Sequence, residues 1–421
     1  MPEDDGPRPS TQRSVGPALT PDQRRERVEL QVGIVRDQLG PDNVAHDSDE
    51  PADFGYLYRS GTILVRDADL DRVRSVDGVD VEVRDSLVGG LTLLETTGRD
   101  TLSALEEIDR ALGAGVASPD HVVYVTGPVG GCCPAAEPEE PGTSTPRPAA
   151  APASGHGQDV LVSVVDTGWL PEAGENPLTP WLRGVSGDVE TYDAESIRHY
   201  AGHGTFVAGV VRCLAPQAQV RVEGFLTNGG AVFESELVKQ MTDALVEVPD
   251  IITMSAGTWT RGDRAPLAFQ VFWEERLSRL KGTVLLAAAG NDGGRGPFWP
   301  AAFPWSVSVG ALDEAGDRAP FSNYGSWVDV YAPGVDLVNA YATGTYVTQE
   351  PPHAGEHREF KGLARWSGTS FSTPVVAGMI AARMSETGEN ARQAAKALLR
   401  QARRNAKPGV GARLVPDSMT S

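Results

Sequence analysis

Between Pro21 and Leu39 apolar residues recur every three or four positions, at Val28, Val32, Val35 and Leu39. That spacing predicts a helix with one apolar side. Pro21 is tolerated in its first turn, and Gly40-Pro41 ends it. From Tyr56 to Gly127 the pattern changes to strand, helix, strand, strand, helix, strand. Thr62 to Arg66 reads as the first strand and Asp69 to Val76 as a helix. Val79 to Leu87 alternates apolar and charged residues, as a half-buried strand does. Turn residues Val88-Gly89-Gly90 lead to a third strand, Leu91 to Glu95. Asp100 to Leu112 places Leu102, Leu105, Ile108 and Leu112 on one side of a second helix, and His121 to Val125 reads as a strand closing the sheet. This order predicts a small α+β ferredoxin-like domain over residues 54–127.

Residues 1–53 read as an N-terminal extension, unstructured apart from the helix. Residues 128–157 are dense in Pro, Ala, Glu and Gly and read as a linker that cannot bury a core. Apolar strands then alternate with helices. The strands are Val160 to Val165, Val220 to Val222, Ile251 to Met254 and Val284 to Ala288; helices near 235–246 and 266–280 separate the later ones. Such alternation predicts an α/β domain, a doubly wound parallel sheet covered on both faces. It extends over residues 158–404, leaving 405–421 as a loose tail.

Composition narrows the function classes. The 421 residues exceed one small core, so two domains are expected. A formal net charge of -20 argues against nucleic acid as a partner, because phosphate binding needs clustered positive charge. No apolar run approaches the roughly 18 residues of a membrane span. The acidic start, Met1-Pro2-Glu3-Asp4-Asp5-Gly6, lacks the features of a secretory leader. The three cysteines, Cys132, Cys133 and Cys213, do not form a disulfide framework. Together these predict a reducing, cytoplasmic setting.

Four segments carry candidate chemistry. Asp166 ends the apolar strand 160–165, where open α/β sheets place their ligand sites; an acid there can orient an imidazole, though Asp-Thr-Gly is also a simple turn. His203 lies in Gly202-His203-Gly204-Thr205, whose glycines let backbones approach closely. Asn291 ends Ala289-Gly290-Asn291, where its amide can donate to an oxyanion or merely form a turn. Ser370, in Gly368-Thr369-Ser370-Phe371-Ser372-Thr373-Pro374, starts a helix running to about Ser385 and could be a cap or a nucleophile. An acid, a base, an amide donor and a hydroxyl are the groups that acyl transfer needs.

Taken together, in this order, with 37 residues from Asp166 to His203 and 167 from His203 to Ser370, the segments resemble the subtilisin-like serine peptidases (subtilases). Leu214-Ala215-Pro216, Met254-Ser255-Ala256-Gly257, Trp299-Pro300-Ala301 and Tyr331-Ala332-Pro333-Gly334 agree with it. The resemblance implies a serine endopeptidase acting on protein or peptide substrates through an acyl-enzyme. Asp166, His203 and Ser370 would be its triad and Asn291 its oxyanion donor. Substrate would lie extended beside Ser255, Ala256 and Gly257, with Ala288, Ala289 and Gly290 walling the pocket for the residue before the cut. Phe298 falls at that pocket's floor and would make it shallow, unless the glycine-bearing loop 292–298 turns the ring away. A peptide ligase or macrocyclase, or a non-catalytic binding protein, could retain the same fold.

The resemblance also implies that the N-terminal domain is an intramolecular, propeptide-like inhibitor, cut around Thr126 to Gly131; a retained recognition module is the alternative. It implies no required cofactor. Calcium is frequent in the family, but no set of oxygen ligands can be assigned. Asp188, Glu190 and Asp193 are near one another, as they would also be in an acidic solvated loop. Cys132-Cys133 reads as two free linker thiols, and Cys213 as a residue packed in the helix after His203.

Overall fold

The computed structural model describes residues 20–48, 55–125, 137–143, 145–151 and 155–419. The chain opens with helix α1 (Pro21–Leu39), closed at its start by a reciprocal Thr20–Gln23 capping box. Strand β1 (Thr62–Arg66), helix α2 (Leu70–Arg74), β2 (Asp80–Ser86), β3 (Leu91–Thr97), helix α3 (Thr101–Leu112) and β4 (Ala117–Ser118) follow. Their sheet runs β2-β3-β1-β4 with every pairing antiparallel, which is the ferredoxin-like order. Its core holds Ile63, Val65, Val73, Leu94, Leu105 and Ile108.

One element departs from the sequence expectation. The run 121–125 does not close this sheet. Strand β4 fills that place, and β5 (Val122–Tyr124) leaves the small domain to pair with the large one. All of Val122, Val123 and Tyr124 are buried. A short apolar run reports burial on both faces but not which sheet supplies the partners.

The large domain is a seven-stranded parallel sheet. Its strands are β6 (Leu161–Val165), β7 (Ser186–Gly187), β8 (Gln219–Glu223), β10 (Ile251–Met254), β11 (Val284–Ala288), β12 (Ser306–Leu312) and β13 (Val330–Pro333), in spatial order β13-β12-β11-β10-β6-β8-β7. The remaining strand, β9 (Ala231–Phe233), partners β5 instead. Helices α4 (His203–Leu214), α5 (Glu234–Ala244), α6 (Leu267–Glu275), α7 (Thr369–Thr387) and α8 (Ala391–Arg404) cover the sheet. Val162 and Val164 on β6 are fully buried, each contributing roughly 1.5–3 kcal/mol by leaving water. The order in which strands are added reverses between the parallel neighbours β6 and β10, so a crevice opens beyond their carboxyl ends. A hairpin, β14 (Leu337–Val347) with β15 (His357–Trp366), packs against α4.

Two stretches read as loose are held. Within 128–157, Glu139 pairs with Arg365 on β15, Arg147 pairs with Val338 on β14, and Glu137 is buried, accepting from Tyr346 Oη at 2.7 Å. The hairpin's free edges give such a segment backbone partners despite its composition. In the tail, Leu414 is buried and its N–H donates to Tyr331 O at 2.9 Å. Cys132, Cys133 and the stretch Thr126 to Gly131 lie outside the described residues.

Candidate active site

Strand β6 runs into Asp166, and α4 begins at His203. Gly204 has its backbone against Gly168 O, where a Cβ would collide, so glycine is needed for the helix to come this close to the Asp166 loop. The approach brings His203 Nδ1 to 2.7 Å from Asp166 Oδ1, with both side chains fully buried. Thr167 N–H also donates to Oδ1, at 2.8 Å. His203 Nε2 has no hydrogen-bond partner among the described residues. Trp366 and Phe371 pack on the imidazole, with ring centroids at 5.5 and 5.1 Å, and hold its plane.

Ser370 is the second residue of α7, adjacent to Phe371. An amide in the first turn of a helix has no intrahelical acceptor and is free to donate elsewhere. The Ser370 hydroxyl donates to Ser255 O at 3.4 Å, while Ser255 Oγ donates to Ser370 O at 2.8 Å. This reciprocal pair ties the Ser370 turn to the end of β10. The Ser370–His203 hydrogen bond is not formed in this state; such bonds are often long or absent before substrate is engaged.

Asn291 is oriented by a residue that the sequence reading passed over. Thr369 N–H and Thr369 Oγ1 both donate to Asn291 Oδ1, each at 2.9 Å. With the oxygen so committed, Nδ2 faces away from Thr369 and remains available as a donor. Asn323 was likewise not foreseen. Its Oδ1 accepts from Asp292 N–H and Gly294 N–H, and its Nδ2 donates to Ala289 O at 2.9 Å, setting the course of the loop after β11. Asn323 stands 32 residues beyond Asn291 in an unpatterned turn, where sequence offers no signal. Burial pushes the neighbouring Asp292 carboxyl up to about 7.

The predicted substrate residues divide. Gly257 pairs with Tyr124 as in an antiparallel ladder, N–H to O at 3.0 Å in both directions. Ser255 is tied to Ser370, and Ala256 is buried between them. Ala288 and Ala289 are buried in the sheet, where Ala289 N–H donates to Val309 O and Ala289 O accepts from Asn323 Nδ2, both at 2.9 Å, so the Ala289 backbone is committed within the protein. Phe298 is buried, with its ring against the backbones of Gly257 and Gly290; a Cβ at Gly257 would collide with it. Trp259 packs on the same ring at 5.5 Å. The loop therefore turns Phe298 inward, between the two glycine walls.

Beside this site lies β5. Its other edge pairs with β9 in the register Ala231–Tyr124, Val232–Val123 and Phe233–Val122, and Val125 N–H donates to Gly230 O at 2.8 Å. An extended segment of the chain's own N-terminal part is thus bonded on both edges, between β9 and Gly257. α1 lies over it, with Val28, Val32 and Val35 in one apolar cluster with Val122, Tyr124, Phe233 and Phe298.

Comparison with known proteins agrees with this geometry. The profile of the subtilase family matches residues 157–414. The chain belongs to the subtilase family. It is 30% identical over 247 residues to thermitase of Thermoactinomyces vulgaris, covering 56% of this chain and 78% of that protein. It is 32% identical over 198 residues to a thermophilic serine proteinase of Bacillus sp. strain AK1, covering 45% of this chain and 43% of that one. The matched stretch thus spans under half of the latter relative. Fervidolysin from Fervidobacterium pennivorans, a keratinolytic enzyme related to subtilisin, shares the fold with a TM-score of 0.56 at 18% identity, over 86% of this chain and 61% of that chain.

Subtilase membership directs attention to metal sites, yet the described residues gather no cluster of three His, Cys, Asp or Glu side chains fit to hold an ion. Asp188, Glu190 and Asp193 are occupied separately. Asp188 Oδ2 accepts from Gly224 N–H and Asp193 Oδ1 from Glu195 N–H, both at 2.9 Å. Glu190 departs from the reading as a solvated acid: it is buried against the Asp166 and His203 loops. Cys213 is also buried, and desolvation pushes its thiol up to about 12, which leaves it unreactive.

Proposed function

We propose that this subtilase is a serine endopeptidase whose N-terminal domain is its own inhibitor and first substrate. Ser370 Oγ attacks a peptide carbonyl as its proton passes to His203 Nε2. Asp166 holds the imidazole in the Nδ1–H tautomer and stabilises the imidazolium. Asn291 Nδ2 and the Ser370 amide receive the oxyanion. His203 then protonates the leaving amine, and water releases the acyl group by the same steps. For this cycle the Ser370 hydroxyl turns from Ser255 O to His203.

The observation that carries the reading is the doubly bonded strand β5. The cleft accepts extended polypeptide through main-chain hydrogen bonds, and the segment bound there leads toward Ser370. The pairing of Tyr124 with Gly257 is antiparallel, and Ser255, two residues before Gly257, accepts from the Ser370 hydroxyl. A chain continued in that register presents the carbonyl two residues past Tyr124, so the expected new N-terminus is Gly127. Intact mass of the wild-type chain beside Ser370→Ala tests this. The wild type is expected to split there and the variant to stay whole. A wild type that remains whole and resists a fluorophosphonate probe would sink the proposal.

Phe298 defines the selectivity. With its ring between Gly257 and Gly290, the pocket before the cut favours small or medium apolar side chains. Product masses from a peptide library are expected to show this, with Phe298→Ala admitting Phe and Tyr. A wild-type profile led by Phe, Tyr or Arg would remove Phe298 from that role.

A further inference from the structure

Two hydrogen-bonding duties at the start of α4 are performed by residues distant in sequence. In a self-contained helix start, a side chain at the cap accepts from the second or third amide, and one at the third position accepts from the cap's own amide. Here the cap is Gly202, which has no side chain to offer. The third-position Thr205 uses its hydroxyl on Leu170 N–H at 2.8 Å. Thr167, directly after Asp166, takes the first duty: its Oγ1 accepts from Gly204 N–H at 3.3 Å. Glu190 takes the second: its Oε2 accepts from Gly202 N–H at 2.9 Å. The same Oε2 accepts from Thr167 Oγ1 at 3.3 Å, so one carboxyl joins the residue after Asp166 to the residue before His203.

The segment carrying Glu190 is itself fastened to the Asp166 loop. Glu190 N–H donates to Trp169 O at 2.9 Å, and Trp169 N–H donates to Asp188 O at 3.0 Å. Only 7% of Glu190 is exposed. A buried carboxyl is costly to keep, and a simple helix cap could be made from a neutral residue. Its position suits a second task, since it places an ionisable group beside the buried Asp166–His203 pair.

We propose that Glu190 is a positioning residue of the triad: it sets the alignment of His203 with Asp166 and, when ionised, supports the imidazolium that forms during acyl transfer. This rests on the reading of Asp166, His203 and Ser370 as the catalytic groups. Burial raises the carboxyl to about 8, and the nearby Asp166 charge pushes the same way; the Gly202 amide, Arg198 and the Thr167 hydroxyl oppose them. Tyr341, on the hairpin, faces the same region and stays neutral, because burial holds its hydroxyl well above the ordinary range. Glu190 is therefore protonated at neutral pH and gains a charge as pH rises through about 8. The new negative charge favours a positive imidazole, so the rate is expected to rise there a second time.

The test uses the full chain. Its readout is the rate at which a small fluorophosphonate labels Ser370, measured from pH 5 to 10. Glu190→Gln keeps an acceptor for both Gly202 and Thr167 but cannot ionise. It is expected to label within about threefold of wild type at pH 7 and to lose the second rise. Glu190→Ala removes the tie and is expected to slow labelling about 10²-fold, the scale of a 1 Å misplacement. Superimposable pH profiles for wild type and Glu190→Gln would overturn the proposal whatever the alanine variant does. Labelling of Glu190→Ala within about threefold of wild type would overturn it too. A wild type that is never labelled sinks the peptidase reading itself, an outcome distinct from either.

Discussion

At the scale of single residues, the site works by committing some atoms so that others stay free. Asn291, the proposed oxyanion donor, could point either end of its amide at the reacting carbonyl. The two Thr369 donors hold its oxygen and thereby aim the N–H₂ group. Asn291→Ala is expected to lower turnover about 10²–10³-fold, the cost of removing one such donor in a subtilisin, with little change in substrate affinity. Steady-state kinetics on a library-derived peptide would measure it, and an unchanged kcat would exclude Asn291 from the reaction. Asp166 follows the same logic in reverse. Oδ1 holds both His203 and Thr167, while the buried Oδ2 has no partner among the described residues.

At the scale of elements, legibility followed periodicity. The strands at the centre of the large sheet and the start and end of α1 could be read because apolar runs and capping residues are local signals. So could the order of elements in the small domain. Strand β5 could be located but not assigned to a sheet, since Val122, Val123 and Tyr124 are apolar on both faces and fit any central position. The carboxyl of Glu190 could not be placed at all. Hydropathy treats an acid as solvated, and nothing between residues 187 and 203 reveals that Thr167 and Gly202 converge on it. The same blindness hid the docking of α1. Its Gln31 is buried, donating from Nε2 to Glu350 at 2.8 Å, lying 3.1 Å from His199, and accepting from Tyr200; Arg27 pairs with Glu350 at 2.7 Å. Those partners sit on the loop before His203 and beyond β14. The arginine charge, together with His199, holds the Glu350 carboxyl below its ordinary range despite burial. Ionised Glu350 therefore stabilises α1 docking above the usual carboxylate range, and that contribution fades as pH falls through its lowered value.

At the scale of the molecule, the small domain is attached along a broad polar and apolar seam, and among its described residues β5 is the part bonded to Gly257, beside the proposed catalytic groups. Asp120 accepts from Ser235 N–H at 3.0 Å and so caps α5, while His121 Nδ1 lies 2.9 Å from Glu234 Oε2 in the same helix. These contacts fix where the domain sits. If the N-terminal part is the inhibitor proposed above, access to the cleft depends on the ladder around Tyr124 and Val125. Val125→Pro deletes the N–H that donates to Gly230 O and leaves Tyr124 in the extended conformation that a following proline favours. One such bond contributes on the order of 1 kcal/mol, or about a fivefold change in an opening equilibrium. Fluorophosphonate labelling of the uncut full chain is expected to be faster by about that factor in Val125→Pro than in Val125→Ala, which also loses buried methyl groups but keeps the N–H. Equal rates in all three would mean that strand insertion does not limit access to Ser370. The restraint would then have to come from α1, whose apolar side covers the same strand from above.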